Sequence, residues 1–219
     1  MQDISRSGGR FLATLLRIDA SARTEGSISR ALADYFQERW IELHPDDEII
    51  VRDLAQDVVP QIEAMTIAGF YTSDSERTPE MRAAIARSDQ LIAELRSADV
   101  LVLSTPMYNF SAPAALKAYI DQIARINETF GYDPARGLYG MVEGKKAFVL
   151  IAKGLVYTEG PLDTYDFLEP YLKKFLPFLG ITDVEFVSVE ASTLPDLERN
   201  REMALRRIDH MLQGVAVSR

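Results

Sequence analysis

The chain has 219 residues, 47% of them hydrophobic, enough for one sizeable core, and a formal charge of −9. That charge argues against a generic nucleic-acid or anionic-membrane binder, since both need a cationic surface. There is no cysteine, which rules out disulfides, thiolate nucleophiles and cysteine-ligated metal sites.

The opening "MQDISRSGGR" is polar and "FLATLLRI" is too short and too soon charged for a signal peptide or a membrane span. Residues 1–9 are expected to form a flexible extension, residues 10–219 a single domain, and the chain is expected in the cytoplasm. Strand-like and helix-like patterns then alternate. "FLATLLRID", Phe11 to Asp19, predicts a buried strand; a helix from about Ser27 follows, with Ile28, Leu32, Tyr35, Phe36 and Leu43 at helical spacing. "EIIVRDL" predicts a second strand, and a polar loop leads to Thr78-Pro79, a cap and first-turn pair that opens a helix to about Arg96. Met81, Ile85, Ser88, Ile92 and Leu95 share one face of that helix. "DVLVLST" is the most uniformly apolar strand, as a central strand covered on both faces should be. Pro113 opens the next helix, with Leu116, Tyr119, Ile120 and Ile123 as its buried stripe. "KAFVLIA" and "DVEFVSVE" are the fourth and fifth strands, separated by a long loop and a helix near "PYLKKFLPFLG", whose last turn Pro177 should distort. A final helix starts near Pro195 and carries Leu197, Ala204, Leu205, Ile208 and Leu212.

Five strands alternating with helices predict an α/β fold: a doubly wound parallel sheet with helices on both faces, in the flavodoxin-like strand order. Its ligand crevice lies at the carboxyl ends of the strands beside the switch point, which directs attention to the loops after the first, third and fourth strands. The first, "ASARTEGSISR", places Ser21, Ser27 and Ser29 around a helix start, where unpaired N–H groups favour phosphate, and Arg23 can add charge. The alternative is that Ser27 does no more than cap its helix. The third-strand loop offers Met107, Tyr108, Asn109 and Phe110, either a platform for a flat aromatic ring or a hydrophobic plug or dimer contact. In "AKGLVYTEGP", Lys153 either faces electron-rich ring atoms or is solvated, and Gly154 permits close backbone approach. No GxGxxG occurs, and "GMVEGKK" precedes a strand instead of following one, so neither a dinucleotide fingerprint nor a Walker loop is present. His44 and His210 fall away from these loops, and no G-x-S-x-G elbow exists, which disfavours a hydrolase.

"PMYNFSAPAALKAYIDQIARINETFGY", "GLYGMVEGKKAFVLIAKG" and "PYLKKFLPFLGITDVEFV" resemble the FMN-dependent NADH-azoreductases, also called FMN-dependent NADH:quinone oxidoreductases. The resemblance runs from about Leu12 to the last helix. It implies a homodimer with one FMN per subunit, reduced by NADH and reoxidised by quinones or azo compounds. By that pattern Ser21, Ser27, Ile28 and Ser29 lie on the phosphate side. Met107, Tyr108, Asn109 and Phe110 contact the ring, Ala152, Lys153, Gly154 and Leu155 form a third contact, and Tyr132 stands near the substrate opening. Where the family commonly has Ser-Arg-Gly-Gly this chain has Ala-Lys-Gly-Leu, and Leu155 is expected to resist backbone angles open to glycine. No catalytic side chain is expected, because the products can take protons from water; no metal ligand is expected either. Lys153 is expected to stabilise the reduced flavin electrostatically. The alternative is a flavin-binding electron carrier without NADH turnover.

Overall fold

The computed structural model describes residues 12–191 and 195–215. The expected extension at residues 1–9 and the start of the first strand at Phe11 lie outside the described residues. The elements are β1 (Thr14–Asp19), α1 (Ile28–Leu43), β2 (Glu48–Asp53), α2 (Ala64–Tyr71), α3 (Pro79–Ser97), β3 (Val100–Pro106) and α4 (Ala114–Ile123). They continue with β4 (Phe130–Asp133), β5 (Gly137–Gly140), β6 (Lys146–Ala152), α5 (Leu168–Leu179), β7 (Asp183–Val189) and α6 (Leu197–Gln213).

β2, β1, β3, β6 and β7 form one parallel sheet in that order, while β4 and β5 make a separate antiparallel hairpin. This is the flavodoxin-like order, with the switch point between β1 and β3. Side chains alternate across each strand. Leu16, Ile18, Leu101, Leu103, Val149 and Ile151 pack with α3, α4 and α5; Leu15, Val100, Val102, Phe148 and Leu150 pack with α1 and α6. The central strands β3 and β6 are covered on both faces, as their continuous apolar runs require.

The structure departs from the expected elements in two places. The stretch before Thr78, expected as loop, contains α2, whose Glu63 and Thr66 form a reciprocal cap. Its eight residues bury only Thr66 and Gly69, so little amphipathic periodicity marks it in the sequence. The β4–β5 hairpin was also not expected. Its root packs on the end of α5: Val142 N–H donates to Leu179 C=O at 2.8 Å, and Phe130 meets Phe178 at 4.6 Å between centroids. A Cβ on Gly140 would lie 2.0 Å from the Gly180 nitrogen, so this contact requires glycine. α5 runs through Pro177 to Leu179. Gly180, at φ 101°, closes the last turn, with its N–H on Pro177 C=O (2.9 Å) and Ile181 N–H on Leu176 C=O (3.0 Å).

Within the larger core, Tyr119 is 3% exposed and its hydroxyl has no protein hydrogen-bond partner. Burial pushes its pKa well above the ordinary tyrosine value, so the phenol remains neutral. Tyr119→Phe removes an unpaired polar atom and keeps the ring. It is expected to raise the unfolding free energy by about 1 kcal/mol, read as a higher urea midpoint at unchanged slope.

Candidate functional site

At the carboxyl ends of β1, β3 and β6, beside the switch point of the sheet, lies an open cleft, the place where doubly wound sheets hold small ligands. Its lining comes from three loops: Ser21, Arg23, Ser27, Ile28 and Ser29; Pro106, Met107 and Tyr108; Ala152 and Gly154. These loops are distant in sequence, and the strand order brings them together.

Ser27 is the N-cap of α1: its Oγ accepts from Arg30 N–H at 3.4 Å and lies 3.3 Å from Ser29 Oγ. The first-turn N–H groups at Ile28 and Ser29 have no intrahelical acceptor, and they sit at the positive end of a sixteen-residue helix. Capping and anion binding are therefore compatible here. Ser21 is fully buried, with its Oγ accepting from Arg23 N–H at 3.2 Å.

Beneath this loop runs a charge network that sequence reasoning missed. Asp19, 2% exposed, accepts from Ser104 Oγ at 2.7 Å and pairs with Arg17 Nη2 at 2.8 Å. Arg30 grips Asp53 with both terminal nitrogens, at 2.7 and 2.6 Å, and donates to Ser21 C=O at 2.8 Å. The signal was present in "LLRID": two charges two residues apart place an ion pair on one face of an otherwise apolar strand.

The Arg30–Asp53 pair has a pH signature. Hydrogen bonds from Arg30 outweigh burial and hold the Asp53 carboxyl below its ordinary value. Because its folded pKa is lowered, its stabilisation is complete above the unfolded carboxylate value of about 4 and is lost as pH falls through the folded one. Urea midpoints should therefore be level between about pH 7 and 5 and drop below about pH 4, and the Asp53 part of that drop should vanish in an Arg30 variant.

The third-strand loop turns back on itself. Tyr108 and Ser111 exchange two backbone hydrogen bonds of 3.0 Å, and Asn109 (φ 47°) and Phe110 (φ 70°) are both left-handed, the geometry of a type I′ turn. Phenylalanine in that region costs about 1–2 kcal/mol. Its ring is held by Tyr165 at 5.2 Å and Tyr157 at 6.4 Å, and its carbonyl accepts from Phe167 N–H at 3.0 Å. Met107 and Tyr108 are half-buried and line the cleft; Phe110 remains 40% exposed. The corner is thus partly exposed, with Met107 also packed against the core. Asn109 and Phe110 sit on the turn beyond the lining.

Three expectations change. Lys153 neither faces the cleft nor is solvated: it is 1% exposed, and its Nζ meets Asp166, Glu169 and Glu190 at 2.8, 3.0 and 3.3 Å. Alternation along the extended chain explains this, since Ala152 and Gly154 turn to the cleft and the residue between them must point to the opposite face. Leu155 is 39% exposed, is not part of the lining, and its backbone is not in the left-handed region, so no glycine-only angle is demanded of it. Tyr132, 61% exposed, stands on the hairpin whose root packs on the end of α5, and it is not among the cleft's lining residues. Its own chain does not bring it to the lining.

A profile described as "Flavodoxin-like fold" matches residues 13–212. The FMN-dependent NADH:quinone oxidoreductase of Hydrogenovibrio crunogenus is 44% identical over 203 residues, covering 93% of this chain and 99% of that one. The enzyme of the same name from Xanthobacter autotrophicus is 49% identical over 174 residues, 78% of this chain and 83% of that one. An azoreductase from Bacillus anthracis superposes with a TM-score of 0.87 at 28% identity, covering 93% of this chain and all of that one. An FMN-dependent NADH-azoreductase from the same species, solved in complex with FMN, superposes at 0.85 with 26% identity over 94% of this chain and all of that one. By this kinship across nearly its whole length, the chain belongs to the flavodoxin-like FMN-dependent NADH:quinone oxidoreductase family.

Proposed function

We propose that this chain is an FMN-dependent oxidoreductase that passes two electrons from NADH to quinones or azo compounds, with FMN seated in the cleft. The observation that carries the reading is the juxtaposition of a serine-rich helix start with Met107, Tyr108, Ala152 and Gly154 around one cavity. FMN, when bound, supplies the relay, accepting electrons from NADH and giving them to the acceptor.

The chain's own groups bind and orient. First-turn N–H groups of α1, the hydroxyls of Ser21, Ser27 and Ser29, and the Arg23 guanidinium suit a phosphate, which an overall charge of −9 would otherwise repel. Met107 and Tyr108 present a thioether and an aromatic face to a flat ring, and the small side chains at Ala152 and Gly154 leave its edge close to backbone. The turn at Asn109 and Phe110 forms the outer rim of the ring site. No side chain here need donate a proton to product; water serves.

The protein works in the cytoplasm as a homodimer in this reading. No helix among the described residues is long and apolar enough to cross a membrane. The hairpin exposes Tyr132, Leu138, Tyr139 and Met141, an apolar group that a second copy would cover. A second copy is also the route by which Tyr132 could reach a substrate. Purified protein should take up FMN, lose its yellow colour with NADH in the absence of oxygen, and regain it with a quinone or azo dye. A chain that binds FMN but is not reduced by NADH would point to the carrier instead, and one that takes up no FMN would end the reading.

A further inference from the structure

Among the described residues, the most heavily committed cation outside the cleft is Lys153. It is sealed, and its three carboxylates come from three elements: Asp166 before α5, Glu169 in the first turn of α5, and Glu190 just after β7. Each is tied further. Thr158 donates to Glu190 Oε2 from its N–H (3.3 Å) and its hydroxyl (2.8 Å). Glu169 accepts from Ser188 Oγ at 3.3 Å and Lys173 Nζ at 2.9 Å, and Asp166 Oδ1 caps α5 through the N–H groups of Leu168 and Glu169 at 3.0 Å each.

The cluster therefore grips both ends of the 154–167 segment. Between them the segment is exposed apart from Tyr157 and the half-buried Gly154, Val156, Leu162 and Asp166; near its start Ala191 N–H donates to Leu155 C=O at 3.2 Å. That segment supplies Tyr157 and Tyr165 against Phe110, and its Phe167 N–H bonds the Phe110 carbonyl. Phe110 in turn belongs to the left-handed turn that follows the cleft residues Met107 and Tyr108.

We propose that Lys153 is a positioning residue for the acceptor side of the site: its buried ammonium pins the 154–167 segment to the sheet and so holds the Tyr157–Phe110–Tyr165 group at the cleft's rim. This rests on the reading of the cleft as the flavin site. Removing the ammonium leaves three clustered carboxylates without their common cation, and the segment, with few other contacts, yields first. Burial disfavours the ammonium, but Asp166 and Glu169 outweigh it, so Lys153 remains charged throughout the physiological range.

The test compares Lys153→Met and Lys153→Arg with the parent, with and without FMN. Limited proteolysis within residues 154–167 should quicken about 10-fold in Lys153→Met. The KM for menadione should rise about 10-fold while kcat and FMN affinity stay within about threefold, and Lys153→Arg should recover most of both losses. Thr158→Val removes only the hydroxyl tie to Glu190 and should move both readouts the same way, about threefold, should Lys153→Met fail to fold. Unchanged nicking, or an unchanged KM with only the flavin midpoint potential lowered, overturns the proposal. A parent chain that takes up no FMN overturns the cleft reading and with it the acceptor role, whereas equal nicking of parent and variants overturns the clamp whatever the flavin does. The two failures are thereby distinguished.

Discussion

Ser27→Asp is expected to leave the stability of the flavin-free protein within about 0.5 kcal/mol and to weaken FMN binding at least about 100-fold. The two effects separate because Asp caps a helix as well as Ser does, and an added carboxylate suits the positive end of α1. The same carboxylate stands at the lining of the cleft, where the phosphate of FMN is proposed to lie. Two like charges about 4 Å apart at an effective dielectric of about 20 repel by about 4 kcal/mol, which screening reduces to roughly 2–3 kcal/mol. Fluorescence titration with FMN and urea unfolding of the same preparation read the two quantities. An affinity equal to the parent's would leave Ser27 as a cap and nothing more. Ser27→Ala should behave oppositely, losing about 1 kcal/mol of stability with a smaller loss of affinity.

Arg30→Met is expected to cost about 3 kcal/mol of stability and about 10-fold in FMN affinity. Arg30 is not itself part of the lining, but it joins α1 to the end of β2 through Asp53 and to the loop after β1 through the C=O of the lining residue Ser21, and stands 3.5 Å from Asp19. Methionine replaces the stem and none of the charge, which leaves Asp53 with backbone donors only and Ser21 C=O without its guanidinium. Partial exposure of the Asp53 side chain, 17%, keeps the loss at the low end for a broken buried pair. Arg30→Lys keeps the charge but not the two-pronged grip and should fall between. Arg23→Met supplies the contrast, since Arg23 is exposed at the cleft: affinity should drop with stability unmoved. Equal urea midpoints for Arg30→Met and the parent would remove the network from the account of the site.

The site was legible as three loops but not as a surface. "SARTEGSIS" announces a helix start rich in hydroxyls, and the first turn of α1 is where it was expected. "PMYNF" announces large side chains at a strand end, yet of these only Met107 and Tyr108 join Pro106 in the lining, because the left-handed pair at Asn109 and Phe110 turns the chain away. Lys153 shows the limit best. A charged residue after an apolar strand looks free in the sequence, and its three carboxylate partners, up to 37 residues away, cannot be matched to it without the fold.

What the sequence determined by itself is local: periodicity of two or 3.6, caps, and punctuation by proline and glycine, all of which act over a few residues and hold whatever the rest of the chain does. It therefore specified the alternation of strands and helices, and with the right-handed crossover rule the doubly wound sheet. The tertiary structure decided what depends on facing direction and on partners far along the chain. It sent Lys153 inward, set Tyr132 on a separate hairpin, and assembled Arg17, Asp19, Arg30 and Asp53 beneath the loop after β1. A one-residue step reverses the side of a strand, and a buried charge goes where its counter-charges are; neither is a local property.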